Sequence, residues 1–193
     1  MEIIVHRINK INELKNIPKN YGVEIDIRAD GSNLILNHDP FKKGELLHDY
    51  LENFNHGTLI LNIKESGIED TVLKMVKKAS IKSYFLLDIE MPYLYSSWKA
   101  KNKNIAIRYS EYENIEMAKF FQGIFDWVLI DTVTQLPINN DNISIISKYK
   151  SCLVCPERWG RKNDIKIYKK ILNKLNYAPN AVMTSYECIN LWK

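Results

Sequence analysis

Two histidines and two carboxylates stand within or directly after short apolar runs near the start of the chain. His6 follows EIIV, Glu24 and Asp26 alternate with apolar residues in VEIDIR, and His38 follows LILN. An imidazole can give or accept a proton near neutral pH, so His6 and His38 are candidates for an acid/base pair. Each residue taken alone also has a structural explanation, for example an ion pair between the carboxylates and Arg28 or a neighbouring lysine.

The spacing of the two acids predicts a metal site. Side chains two positions apart on a strand point to the same side, so Glu24 and Asp26 would repel each other and one would be forced to stay protonated. A hard divalent cation with oxygen ligands removes that conflict. Asn62 could add a neutral carbonyl oxygen as a third ligand. We therefore expect a Mg²⁺ or Ca²⁺ site formed by Glu24, Asp26 and Asn62.

Eight short β-branched and aromatic runs alternate with amphipathic segments, which is typical of parallel βα units. A turn at Asp30-Gly31 followed by LILNH predicts an additional hairpin. The apolar residues of the intervening segments repeat at three and four positions, which predicts helices. The predicted strands are residues 2–7, 23–28, 58–64, 83–89, 105–110, 126–132, 151–157 and 181–185; the predicted helices lie within 44–54, 68–79, 114–125 and 165–175.

The length of 193 residues indicates one domain, 1–193, with no room for a large second one. Eight βα units fit either a (βα)8 barrel or an open doubly wound sheet. A complete barrel of this length would need short helices and short loops. In both architectures ligands bind at the carboxyl ends of the strands, and the polar residues collect at those ends.

Later strand ends add candidates for substrate binding. Arg108 closes the fifth predicted strand, and Glu157 and Trp159 lie in the loop PERWGR after the seventh. Glu157 could reach a polar group and Trp159 could form an apolar wall, although surface ion pairs explain the charged residues equally well. The aromatic stretch MPYLYSSW, placed between the fourth strand and its helix, is expected to pack in the core, with a wall for the substrate as the alternative.

Charge and apolar patterning exclude several classes of protein. The net charge of +4 is spread along the chain without a block of like charges, so nucleic-acid binding is not expected. No apolar run approaches the ~20 residues needed to cross a bilayer. The N-terminus MEIIVHR lacks the apolar core of a signal peptide, and three cysteines are most simply free thiols. A cytoplasmic location is expected; the oligomeric state is left open.

The motifs together resemble a known family. The succession HR, GVEIDIR, DG followed by LILNHDP, and LNIK is similar to the glycerophosphodiester phosphodiesterases and to the wider superfamily of phosphatidylinositol-phospholipase-C-like phosphodiesterases. The later segments YFLLD, RYSEYE, WVLID, VCPERWGR and AVMTS resemble a bacterial branch of that superfamily.

The resemblance implies a compact TIM-type (βα)8 barrel and metal-assisted cleavage of a small, lipid-derived or glycan-linked phosphodiester. It places the two catalytic histidines at His6 and His38, the first metal ligands at Glu24 and Asp26, a lysine that acts on the phosphate at Lys64, and a phosphate-binding arginine at Arg7.

The sequence departs from the family pattern at two places. Asn62 stands where the family usually has a third acid, so a cation would be held by less charge. The Glu-Asn-Thr segment that follows His-Arg in the family is missing. These departures support an alternative, a barrel that binds a phosphorylated ligand with weak or no turnover.

Overall fold

The structure of the chain, a computed structural model, describes residues 1–193 and has a mixed α/β fold. The chain divides into two compact units, one of residues 4–94 and one of residues 1–3 together with 95–193. Both units alternate parallel strands with helices, as the periodicity of the sequence predicts.

The unit of residues 4–94 is organised around the long strand β2. Strands β1 and β5 pair with β2 in parallel and β6 extends this row, while β3 and β4 form an antiparallel extension on β2. Short helices connect the parallel strands. The bounds are β1 Glu2–Val5, α1 Ile11–Leu14, β2 Gly22–Asp30, β3 Asn33–Leu36, β4 Glu45–Leu46, α2 Leu47–Asn53, β5 Leu59–Ile63, α3 Glu69–Lys78 and β6 Tyr84–Leu87. Helix α4, Met91–Lys99, follows β6 and continues beyond residue 94.

The second unit contains four parallel strands paired in chain order, β7 to β8, β8 to β9 and β9 to β10. Glu2 is tied to this unit because its backbone N–H donates to the carbonyl of Asn180 at 2.7 Å. The bounds are β7 Ala106–Tyr109, α5 Ile115–Phe120, β8 Trp127–Ile130, α6 Ile143–Ile146, β9 Lys150–Val154, α7 Asp164–Lys174, β10 Ala181–Thr184 and α8 Ile189–Trp192, with 3₁₀ helices at Pro156–Trp159 and Tyr186–Cys188.

All eight predicted strands, the additional hairpin and the four predicted helices are confirmed. The prediction for MPYLYSSW was wrong, because these residues form helix α4 itself rather than a segment before it. Leu94 and Ser97 are buried, whereas Tyr95 and Trp98 are exposed. An amphipathic helix has room for aromatic side chains on its outer face, so only part of the stretch packs in the core.

Strand β2 positions the acidic residues. Its apolar residues Val23, Ile25 and Ile27 are fully buried on one face, and Glu24 and Asp26 are fully buried on the other. A parallel strand covered on both faces is normally apolar throughout, so two buried acids are exceptional. The helices of the structure are all too short or too polar to cross a lipid bilayer.

Candidate functional site

Asn62 links the two buried acids. In the parallel register of β2 and β5, Asn62 lies opposite Asp26. Its amide nitrogen Nδ2 donates to Glu24 Oε1 at 2.8 Å and to Asp26 Oδ1 at 3.3 Å. The amide of Asn62 therefore contacts both carboxylates. This is possible because Glu24 and Asp26 point to the same face of β2.

The segment after β1 covers Glu24. The carboxylate oxygen Oε2 of Glu24 accepts a hydrogen bond from the backbone N–H of Arg7 at 2.8 Å and lies 3.6 Å from His6 Nε2. Arg7 adopts a left-handed conformation with φ of 56°, and the N–H of Ile8 donates to the carbonyl of Glu24 at 2.9 Å. These backbone contacts fix the turn and hold His6 beside the acid pair.

Asp26 has charged and amide partners. Lys64 Nζ lies 3.2 Å from Asp26 Oδ1 and 3.9 Å from Asp88 Oδ2. Asn9 makes a reciprocal pair with Asp26: its Nδ2 donates to Oδ2 at 2.9 Å, and its Oδ1 accepts from the Asp26 backbone N–H at 2.8 Å. The predicted residue Lys64 thus joins the site through Asp26.

Burial is the largest cause of an unusual pKa at Glu24. Desolvation and the neighbouring charge of Asp26 raise the pKa of this carboxyl from 4.5 to about 7, although hydrogen bonds from Asn62 and Arg7 and the charge of Lys64 act to lower it. The positive groups and donors of the chain therefore do not fully offset the burial of the Glu24 carboxylate. An additional cation would do so.

The residues fit a divalent cation. The carbonyl oxygen Oδ1 of Asn62 is buried and has no hydrogen-bond partner, which is costly for a polar atom. Rotating the amide about its terminal torsion would turn this oxygen toward Glu24 and Asp26 in place of Nδ2. The site would then present two carboxylates and one amide oxygen, the hard ligands that Mg²⁺ and Ca²⁺ prefer.

His38 is placed by the hairpin. Its Nδ1 lies 2.8 Å from Asp39 Oδ1, and this hydrogen bond is the main cause that lowers the pKa of Asp39. The guanidinium of Arg28 donates to the His38 carbonyl at 3.0 Å and 3.2 Å, which holds the segment that follows β3. His38 lines a cleft of about 540 Å³ together with Arg7 and Asn9, the residues that contact Glu24 and Asp26.

The other predicted residues lie in the second unit. Arg108 Nη2 is 2.5 Å from Asp131 Oδ2, and Trp159 Nε1 donates to Asp131 Oδ1 at 3.1 Å, so Asp131 brings Arg108 and Trp159 together. Glu157 has different partners: its Oε1 accepts from the hydroxyl of Thr184 and from the backbone N–H of Ser185. A substrate-binding role for these three residues stays a prediction.

Two residues that contact the site were not among the predicted site residues. Asn9 follows the His-Arg pair by two positions, and this closeness to the pair is the signal that could have indicated it. Asp88 ends the fourth predicted strand, and its φ of 58° marks a sharp turn there. A further group, His48, Asp49 and Glu52, brings its side-chain oxygens and nitrogens together on α2. All three are exposed, and pairing between a histidine and its helix neighbours accounts for their contacts.

Comparison with known proteins gives matches among solved structures only, since no family model and no curated protein sequence matches the chain. A glycerophosphodiester phosphodiesterase of Agrobacterium tumefaciens str. C58 superposes with a TM-score of 0.66 at 12% identity, covering 95% of this chain and 96% of that one. A putative glycerophosphoryl diester phosphodiesterase of the same organism gives 0.69 at 10% identity, covering 100% and 97%. A glycerophosphoryl diester phosphodiesterase of Parabacteroides distasonis ATCC 8503 gives 0.61 at 12% identity, covering 98% and 85%.

These superpositions extend over nearly the whole chain and over most of each matched protein. They agree with the family that the motifs around His6, Glu24, His38 and Lys64 resemble. The chain therefore has the fold of the glycerophosphodiester phosphodiesterases.

Proposed function

We propose that the protein hydrolyses a phosphodiester with the help of a divalent cation. The observation that carries this proposal is the buried cluster of Glu24, Asp26 and Asn62. In this cluster two carboxylates are contacted by one ammonium group, so negative charge exceeds positive charge. His6 lies beside Glu24, and His38 lines the cleft that Arg7 and Asn9 also line. The fold shared with phosphodiesterases supports the same reaction class.

Glu24, Asp26 and Asn62 are the residues that would hold Mg²⁺ or Ca²⁺. When bound, the cation supplies positive charge that offsets the charge developing on the phosphoryl oxygens. Lys64 and Arg7 add positive charge from the chain itself, and Lys64 is oriented by its contact with Asp26.

The two histidines move the protons. A hydroxyl of the substrate adjacent to the phosphate attacks phosphorus, one histidine accepts the proton of that hydroxyl, and the other donates a proton to the leaving alcohol oxygen as the phosphorus–oxygen bond breaks. The products are a cyclic phosphate and the free alcohol, and water can then open the cycle. Asp39 orients the ring of His38, because it occupies Nδ1 and leaves Nε2 for proton transfer.

The finer features belong to the same proposal. The eight parallel strands would close as a compact (βα)8 barrel, and Arg108, Glu157 and Trp159 would bind the part of the substrate beyond the phosphate. A small, lipid-derived or glycan-linked phosphodiester fits the family resemblance, and the cytoplasm is the expected location.

The test is a screen for hydrolysis of glycerophosphodiesters, lysophospholipids and phosphatidylinositol, with Mg²⁺, Ca²⁺ or EDTA, that measures released alcohol and cyclic phosphate. We expect cation-dependent turnover that His6→Ala and His38→Ala each lower strongly. His48→Ala is the matched control, since His48 is exposed on α2 outside the site, and it should retain activity. Binding of phosphodiesters without any turnover would favour the alternative of a barrel that only binds its ligand, for which Asn62 in place of an acid is the argument.

A further inference from the structure

Three aromatic side chains form an exposed patch in the unit that contains residues 95–193. Tyr95 and Trp98 lie on the outer face of α4, and Phe120 ends α5. Their exposed fractions are 52%, 40% and 61%. Large aromatic side chains normally bury most of their surface, so three of them together on the surface indicate an interaction site.

The aromatic patch is a fixed structure. Trp98 meets Tyr95 edge to face with ring centroids 6.3 Å apart, and it meets Phe120 in the same way at 5.8 Å. The buried ring of Phe121 contacts both Trp98 and Phe120. The exposed rings are therefore held in place before any partner binds, which lowers the entropy lost on binding.

Lysines lie close in the chain to the rings of the aromatic patch. Lys99 Nζ lies 4.5 Å from the centre of the Tyr95 ring, and Lys101 and Lys103 are exposed in the turn that follows α4. On α5, Lys119 precedes Phe120 and pairs with Glu116 at 3.5 Å. The segments that carry the three rings, residues 91–103 and 115–120, contain four lysines and one acid, an excess of positive charge that suits an anionic partner.

We propose that the aromatic patch and its lysines bind the surface of an anionic lipid bilayer. Tryptophan and tyrosine combine an apolar ring with a polar group and are enriched at the boundary between headgroups and acyl chains, and lysine stems extend along apolar surface while the ammonium stays at the headgroups. A small soluble anion would account for the lysines but not for three exposed aromatic rings. A lipid surface satisfies both.

The experiment measures co-sedimentation of the full chain with vesicles of phosphatidylcholine alone and of phosphatidylcholine mixed with phosphatidylglycerol, at low and high salt. We expect binding to the mixed vesicles only, weakened by salt. Phe120→Ser should lower the partition coefficient by about tenfold because the most exposed ring is lost. Replacing Lys101 and Lys103 together by glutamate should lower it further, since each basic residue near such a surface contributes about fivefold.

Tyr186→Ser is the matched control, because Tyr186 is also exposed, at 55%, but lies outside the aromatic patch. It should bind vesicles like the wild type, and circular dichroism should show that every variant is folded. The proposal is overturned if the wild type binds neither vesicle, or if Tyr186→Ser loses as much binding as Phe120→Ser. It is equally overturned if sedimentation velocity shows that Phe120→Ser abolishes self-association while vesicle binding is unchanged, since the patch would then join two copies of the chain.

Discussion

Acids buried at strand positions occur in both units, but their surroundings differ. Asp131, which follows β8, is almost fully buried and is matched by Arg108, by the indole N–H of Trp159 and by the backbone N–H of Thr132. Glu24 and Asp26 on β2 are fully buried as well. The ammonium group of Lys64 contacts Asp26, His6 Nε2 lies 3.6 Å from Glu24, and Asn62 donates one amide group to both acids.

The comparison sets an acid with a full set of partners against the two acids that we propose hold a cation. At Asp131 both carboxylate oxygens have donors, one from Arg108, whose guanidinium also lies 3.4 Å from Glu113, and the other from the N–H groups of Trp159 and Thr132. At Glu24 and Asp26 the negative charge is in excess, the pKa of Glu24 is raised to about 7, and Asn62 Oδ1 is buried without a partner. Polar residues at strand ends look alike in the sequence, and only the partners that the fold places around them distinguish one from another.

The largest expected effect is on turnover. His6→Ala should lower kcat by about 10²- to 10⁴-fold, because it removes a group that transfers a proton. Arg108→Gln should act mainly on KM, because Arg108 is proposed to bind the substrate away from the reacting atoms. Steady-state kinetics on the substrate found in the screen measures both. Equal losses of kcat in the two variants would mean that the two regions do not differ in function.

Stability should respond in opposite directions in the two regions. Asp131→Ala should lower the free energy of unfolding by about 2 kcal/mol, because the donors of Trp159 and Thr132 lose their acceptor. In EDTA, Glu24→Gln should instead raise it, since the change removes a buried charge that Asp26 repels. Urea unfolding followed by circular dichroism measures both. A destabilised Glu24→Gln variant in EDTA would show that the groups around Glu24 and Asp26 already compensate their charge.

The raised pKa of Glu24 predicts a pH dependence with a definite sign. The folded protein holds a proton on Glu24 up to about pH 7, whereas the unfolded chain releases it near pH 4.5. Without a cation, stability is therefore lost as the pH rises through this interval. A cation removes the loss, so Mg²⁺ or Ca²⁺ should raise Tm more at about pH 8 than at about pH 5. Thermal melts with EDTA as the reference test this; an equal rise at both values would exclude Glu24 as the titrating ligand.

A smaller effect is expected when the third ligand gains a charge. Asn62→Asp should tighten cation binding by about tenfold, because a carboxylate binds a hard cation better than an amide does. Asn53→Asp, on the exposed surface of α2, is the control and should leave the affinity unchanged. Equal or weaker binding in Asn62→Asp would remove Asn62 from the ligand set and leave the third ligand unassigned.

Much of the fold follows from the sequence because periodicity is a local signal. The alternation of buried β-branched runs with amphipathic segments predicted the eight parallel strands, and Asp30-Gly31 marked the turn between β2 and β3. The spacing of Glu24 and Asp26 predicted that both point to one side, and both contact the same amide of Asn62. These features depend on residues close together in the chain or on the pleat of a strand.

Other features depend on contacts that the sequence does not encode locally. The pairing of Asn9 with Asp26 requires the turn at Arg7, which has a positive φ although it is not a glycine. The orientation of the Asn62 amide depends on two acids that lie 36 and 38 residues away in the chain. Helix α4 was expected to be a connecting segment because its aromatic residues resemble a core run, and only the packing of the helix shows which of them stay exposed.

The most direct test of the account is a calorimetric titration of Ca²⁺ and Mg²⁺ into the wild type, Asp26→Asn and Glu69→Gln at one pH. Glu69 is the matched control, because its carboxylate is buried too but accepts a hydrogen bond from the backbone N–H of Gly67 at 2.7 Å, away from the acid pair. The account predicts one binding site in the wild type and in Glu69→Gln, and loss of that site in Asp26→Asn. Absence of binding in the wild type, or unchanged binding in Asp26→Asn, would contradict it.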